Sequence, residues 1–165
     1  MPSSQTFIRF AAFGGLVLSL LAGPTHAQGR QLPAGPYTLF AGNGASANFI
    51  VENSVSPSGD RVRLSTYRIY AQGVPLSRGV MDQELNEIEI NCAARTWHLF
   101  GSHGFSPNGD WISSLPAEPE TAIQPNQTWD FVAKLVCGEA RMPASATVQG
   151  PAAARALGLS RLRGS

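Results

Sequence analysis

Two cysteines, Cys92 and Cys137, stand in segments of different hydrophobic period, and this constrains the fold more than any other feature. From Leu85 to Ala94 apolar and polar residues alternate. Ile88, Ile90 and Cys92 fall on one side, Glu87, Glu89 and Asn91 on the other. A period of two marks a strand with one buried face. Between Trp129 and Val136 the apolar residues Trp129, Val132, Ala133 and Val136 recur at i, i+3, i+4 and i+7, which is one face of a helix. Cys137 lies beside that face in the last turn. A bridge between the cysteines would staple helix to sheet. It would close a loop of about 45 residues and contribute about 4 kcal/mol through the entropy of the open chain. Two free buried thiols are the competing reading. A metal site is weaker still, since neither cysteine belongs to a CxxC pair.

Whether the thiols oxidise depends on compartment. Arg9 gives a positive start, and an apolar run follows from Phe10 to Ala22. That run is shorter than the roughly 20 residues a membrane helix needs. Pro24 then breaks the helix, and Thr25-His26-Ala27 offers small residues to a signal peptidase. The expectation is a signal peptide over residues 1–27, cleaved before Gln28, with an uncleaved anchor as the alternative. No cysteine stands at the cleavage point to take a lipid, and no later segment is long and apolar enough to span a bilayer. Residues 28–36 read as a linker, 37–138 as the folded domain and 139–165 as a flexible tail. The expected location is the periplasm, the cell surface or the medium.

Hydrophobic residues make up 43% of the chain, enough for a core, while charged residues are only 14%, below the usual roughly 25%. The chain has 12 basic side chains, Arg9 among them, against 11 acidic ones. The exported part is therefore about neutral. Nucleic-acid binders carry a basic balance or stripe, so no nucleic-acid partner is expected. The segment after Cys137 is basic, with Arg141, Arg155, Arg161 and Arg163 against Glu139. It reads as a solvated tail, with contact to an anionic surface as the alternative.

Tyr37 to Phe40 reads as a short strand ended by Gly42-Asn43-Gly44. Ala47, Phe49 and Val51 then alternate with Asn48, Ile50 and Glu52, which is strand periodicity. Pro57-Ser58-Gly59-Asp60 has the residues of a tight turn, and Arg61 to Tyr70 returns as the second arm of a hairpin. Gln72 to Glu84, with Gly73, Pro75 and Gly79, reads as a loop. Arg95 to Phe100 continues the Cys92 strand across a bulge. Pro107-Asn108-Gly109-Asp110 repeats the turn chemistry, and Trp111 to Leu115 returns. Pro116, Pro119 and Pro125 mark a loop, and Asn126 is expected to cap the helix. Asp130 suits its first turn and Gly138 its stop. Beyond Glu139 the reading is disorder with at most a weak helix over Pro151 to Leu162. The fold class is thus α+β: a single antiparallel sheet of about five or six strands with one C-terminal helix packed on a face.

The run Leu85-Asn86-Glu87-Ile88-Glu89-Ile90-Asn91-Cys92-Ala93-Ala94-Arg95 resembles the strand around the first cysteine of surface-adhesin protein E domains. Ile123-Gln124-Pro125 with Trp129 to Cys137 is similar to their closing helix and second cysteine. Phe49 to Glu52 with Val62-Arg63-Leu64 is similar to their first hairpin. The resemblance spans about Tyr37 to Gly138. It implies one antiparallel sheet with a helix on it and a disulfide from strand to C-terminal helix. It also implies a bacterial envelope or surface protein, in some members an adhesin for host matrix or plasma proteins. The chain departs from the family in lacking the lipoprotein cysteine of some members. Its loop before Cys92 is also acidic, with Asp82, Glu84, Glu87 and Glu89 against Arg78. Adhesion through a basic segment there is not expected.

Catalytic signals are sparse. Ser102 beside His103 has no motif around it, and hydrolysis needs a nucleophile, a base and an orienting group. His98, His103 and Asp110 would have to meet across a hairpin to hold a metal, at a spacing that fits no standard site. Gly42-Asn43-Gly44 is no phosphate loop, and the one lysine, Lys134, lies in the helix. Asn126-Gln127-Thr128 matches a glycosylation sequon but reads as a helix start. The better signal is Arg95, Trp97 and Leu99, which share strand parity opposite to Cys92. If Cys92 faces the helix, these three lie on an open face suited to a partner. A bulge near Ala94 that returns Trp97 to the core is the competing reading. The expectation is a binding protein of the envelope or surface without catalysis or cofactor. Its partner would be a host or envelope protein, or a second copy docked on the open face. A small periplasmic enzyme or metal protein built on His98 and His103 is the alternative.

Overall fold

The computed structural model describes residues 30–141 and 146–164. The leader expected over residues 1–27 lies outside them, as do the first two residues of the expected linker. In chain order the elements are β1 (Pro36–Asn43), β2 (Ser46–Ser58), β3 (Arg61–Leu76), β4 (Gly79–Asn91), β5 (Thr96–Phe105), β6 (Trp111–Leu115), β7 (Glu118–Ala122), α1 (Thr128–Val136), β8 (Thr147–Gln149) and α2 (Gly150–Arg163). All strand pairs are antiparallel and form one sheet in the order β6–β5–β4–β3–β2–β1–β8, with β7 also paired to β5.

The expected hairpin is present. Ser58 pairs with Arg61 across Gly59, whose φ of +58° is the left-handed conformation that glycine adopts without steric cost. The strand count is higher than expected: eight strands are described, and β7 and β8 are the additions. The loop expected over Gln72 to Glu84 is mostly strand. β3 and β4 resume pairing at Val74 with Met81 beyond an irregularity and turn only at Ser77-Arg78. Gly73 and Pro75 are tolerated there because the hairpin arm lies past the bulge. β7 forms within the proline-rich segment. Its partner is the first half of β5, while β6 takes the second half, so the two share one edge end to end. An edge strand has room for a proline that cannot donate to the ladder.

Alternation within each strand builds a core on both sides of the sheet. Phe49, Val51, Tyr67, Ile69 and Leu85 point one way and pack with Phe105 and with Ala154 of α2. Ile50, Leu64, Ile88, Ile90 and Leu99 point the other way and meet Val132 and Ala133 of α1. The single covering helix expected from sequence is therefore one of two, on opposite faces. Asn126 does not cap α1. It takes φ +63° just before the N-cap residue Gln127, and its N–H donates to the Asp130 carboxylate at 2.9 Å. Gly138, with φ +82°, follows the helix as expected.

Residues 146–164 of the segment expected as a flexible tail are built into the fold. Thr147 Oγ1 lies 2.6 Å from Thr38 Oγ1 where β8 pairs with β1, and Pro151 occupies the first turn of α2. Small residues let α2 approach the sheet closely. A Cβ on Gly158 would sit 2.8 Å from Ile69 Cδ1. Beneath the helix, Arg155 Nη2 meets the buried Asp82 carboxylate at 2.5 Å. The weak helix expected over Pro151 to Leu162 is thus a full helix held by tertiary contacts, which is where most helix stability in proteins comes from. Among the described residues no helix is long and apolar enough to cross a membrane.

Candidate functional site: the uncovered end of the sheet

Cys92 and Cys137 are bonded, with Cα atoms 5.7 Å apart, so the last turn of α1 is stapled to the end of β4. The residues after Cys92 correct the expected open face. Cys92 to Arg95 form a turn, and Arg95 takes φ +54°. The turn resets the strand parity, and Trp97 pairs with Ile90 on the α1 side. Trp97 stacks on Trp129 at 4.5 Å, and Leu99 is buried in the α1 core. Arg95 Nη1 donates to Glu139 at 2.8 Å, and Nη2 donates to Asp130. These three residues lock α1 in place and present no open face.

Among the buried polar groups, two surround the residues singled out as catalytic candidates. On the α1 side, Ser102 Oγ donates to Glu84 Oε1 at 2.7 Å, the Tyr70 hydroxyl donates to Glu84 Oε2, and Arg68 Nε donates to Asn48 Oδ1 at 2.9 Å. Burial and the neighbouring Glu84 push the Tyr70 hydroxyl's pKa up, so it keeps its proton. The other group is His103, on the α2 side. Its Nδ1 lies 3.1 Å from Ser114 Oγ, and Nε2 stands 3.8 Å from Glu87. Burial first, then Arg30, holds its pKa below the ordinary histidine value. Ser102 and His103 are adjacent in a strand and so point to opposite faces. They form no nucleophile–base pair. His98 packs on Phe100, Asp110 belongs to the Ser106 turn, and among the described residues no group of three or more His, Cys, Asp or Glu is placed to hold a metal.

The open surface lies elsewhere. On the α2 side, at the end of the sheet beyond the helix, cross-strand neighbours make two rows. Ser56, Arg63, Glu89 and His98 form one; Ser58, Arg61, Asn91 and Thr96 form the other. Arg61 Nη1 donates to Glu89 Oε1, and Arg63 Nε donates to Glu89 Oε2 at 2.9 Å. These two hydrogen bonds, Arg63's first, hold the Glu89 carboxyl below the usual carboxylate range. Arg63 also lies 4.9 Å over the Phe100 ring, and His98 packs on the same ring at 4.2 Å. Phe100 is 41% exposed. Its exposure comes from an irregularity in β5, since Ile88 pairs with Leu99 and Glu87 with Gly101, leaving Phe100 without a partner. Sequence reasoning missed this surface. Its signal was the Pro57–Asp60 turn, which sets Ser56 and Ser58 opposite Arg63 and Arg61.

No protein-family model, no curated protein and no solved structure matches the chain.

Proposed function

We propose that this chain is an exported, disulfide-stapled binding protein of the cell envelope or surface, adhesin-like in the sense of the family it resembles. It takes a protein partner on the uncovered end of its sheet and carries out no catalytic step. The observation that carries the reading is Phe100, an exposed aromatic held by Arg63 and His98 on a rigid strand. Aromatic and arginine side chains are enriched where proteins meet, and here Phe100 stands beside Arg63, itself 70% exposed, on the uncovered end of the sheet. The test is a photo-crosslinking side chain at position 100, with position 131 on the outer side of α1 as control; Phe131 is 45% exposed. Against envelope or host-matrix extracts, a discrete adduct should form from 100 and not from 131. Equal labelling from both positions, or none from 100, would remove the reading.

A further inference from the structure

We infer that the depression between β2 and β3 is a subsite for the carboxylate side chain of an acidic peptide, whose apolar neighbour seats against Phe100. The inference rests on the binding reading above and names the chemistry of the partner. The depression has a volume of about 430 Å³ and is lined by Ser56, Ser58, Arg61, Arg63 and Glu89. A second hollow of about 300 Å³, lined in part by Ser65, Glu87 and Phe100, shares Arg63 as its wall.

Counted by residue, the patch is balanced: Arg30, Arg61 and Arg63 stand against Glu87, Glu89 and Glu120. Counted by what faces outward, it is not. The Glu89 side chain is only 9% exposed and spends both oxygens on the arginines, while Arg61 and Arg63 are 46% and 70% exposed. Glu87 is held by Arg30 at 2.7 Å, and Glu120 accepts from Thr96 while lying 3.9 Å from Arg61 Nη2. Arg63 gives only Nε to Glu89, so its two terminal nitrogens have no hydrogen-bond partner among the described residues. A guanidinium fixed from beneath and open above is set to receive a carboxylate, and such charge-assisted bonds are the stronger kind. Ser56 and Ser58 add exposed hydroxyl donors beside it.

A peptide fits better than a sugar. Stacking a sugar requires an open aromatic face, whereas the Phe100 ring is engaged by Arg63 and by His98. What the ring still exposes, at the wall of the second hollow, suits a small aliphatic side chain. An acidic residue beside Leu or Val therefore matches both hollows at once.

The test is an amide chemical-shift titration of the oxidised protein with acetyl-Glu-Glu-Leu-Glu-Glu-amide. The Gln-for-Glu peptide and a sulfated disaccharide serve as comparison arms. The acidic peptide should shift the amides of Ser56 to Arg63 and of Phe100, and bind about tenfold more tightly than the Gln peptide. Arg63→Gln should cut its affinity about tenfold while the amide shifts of β1, β6 and α2 stay those of the parent and so report an intact fold, and added salt should weaken it. Arg61→Gln gives the same readout should the first variant fold poorly. Equal binding of both peptides, shifts confined to other residues, or indifference to Arg63→Gln would overturn the inference. Tighter binding of the sulfated disaccharide would overturn the peptide assignment. A position-100 adduct that forms equally in the Arg63→Gln protein would sink the acidic-peptide subsite and leave the protein-binding reading standing.

Discussion

Removing the staple should loosen α1 before it loosens the sheet. The double variant Cys92→Ala/Cys137→Ala leaves no lone thiol and opens a loop whose ends are 45 residues apart. At that separation, chain entropy assigns the bridge about 4 kcal/mol. That is a large share of the roughly 5–15 kcal/mol by which a domain is stable. For a domain of this size each kcal/mol moves the melting temperature by about 3–5 °C, so a fall of about 12–20 °C is expected. The loss should be local in character. α1 has nine residues, too few to persist alone, and without the bridge its ties include Val132, Ala133, the Trp97–Trp129 stack and the Arg95–Asp130 ion pair. Hydrogen exchange should show the amides of Thr128 to Cys137 losing protection while those of β3 and β4 keep theirs. A melting temperature within about 2 °C of the parent would refute the reasoning. So would two titratable thiols in the native oxidised protein, or α1 protection that falls only together with the sheet.

Acid should destabilise the domain through carboxylates held below their usual pKa. Asp130 is lowered by the Lys134 hydrogen bond first, then by the Asn126 N–H, and Glu89 by Arg63 and Arg61. With folded pKa values below the unfolded ones, the stabilisation is complete above about pH 5 and is lost as pH falls through the folded values. Urea midpoints measured downward from neutral pH should show this fall, and Asp130→Asn should flatten part of it. An equal slope in that variant would count against the assignment. For export, the mature protein should begin at Gln28, and N-terminal sequencing of processed protein checks it; a chain still beginning at Met1 in the cytosol would contradict the proposal.

The features that sequence made legible are those set by short-range rules. Ile88, Ile90 and Cys92 alternate without interruption, so the second half of β4 and its side toward α1 can be read directly, as can the helical face of Val132 and Ala133. The Gly59 turn announces the β2–β3 hairpin. β5 is different, because its facing depends on a turn of unusual conformation. Arg95 at φ +54° leaves no compositional mark, so parity counted through it puts Trp97 on the wrong side. α2 is hidden for another reason. Ala154 and Gly158 bury themselves by close approach, not by a wide apolar stripe, and their region has the composition of a tail. The candidate site was half visible. Arg61 and Arg63 opposite Ser58 and Ser56 follow from the hairpin, but the shared Glu89 beneath them requires the β3–β4 register. Phe100's exposure requires the β5 irregularity.

The pairing of β8 with β1 has a consequence for synthesis. β1 is the earliest strand of the sheet, and its outer edge is matched only by Thr147 to Gln149, the last strand to be made. At about 5–20 residues per second, the roughly 100 residues between them take about 5–20 s to emerge. Throughout that interval the edge of β1 offers unpaired N–H and C=O groups, a template onto which a neighbouring nascent chain can add its own strand. The fold therefore closes the Pro36–Thr38 part of that edge with the last-made strand of the sheet.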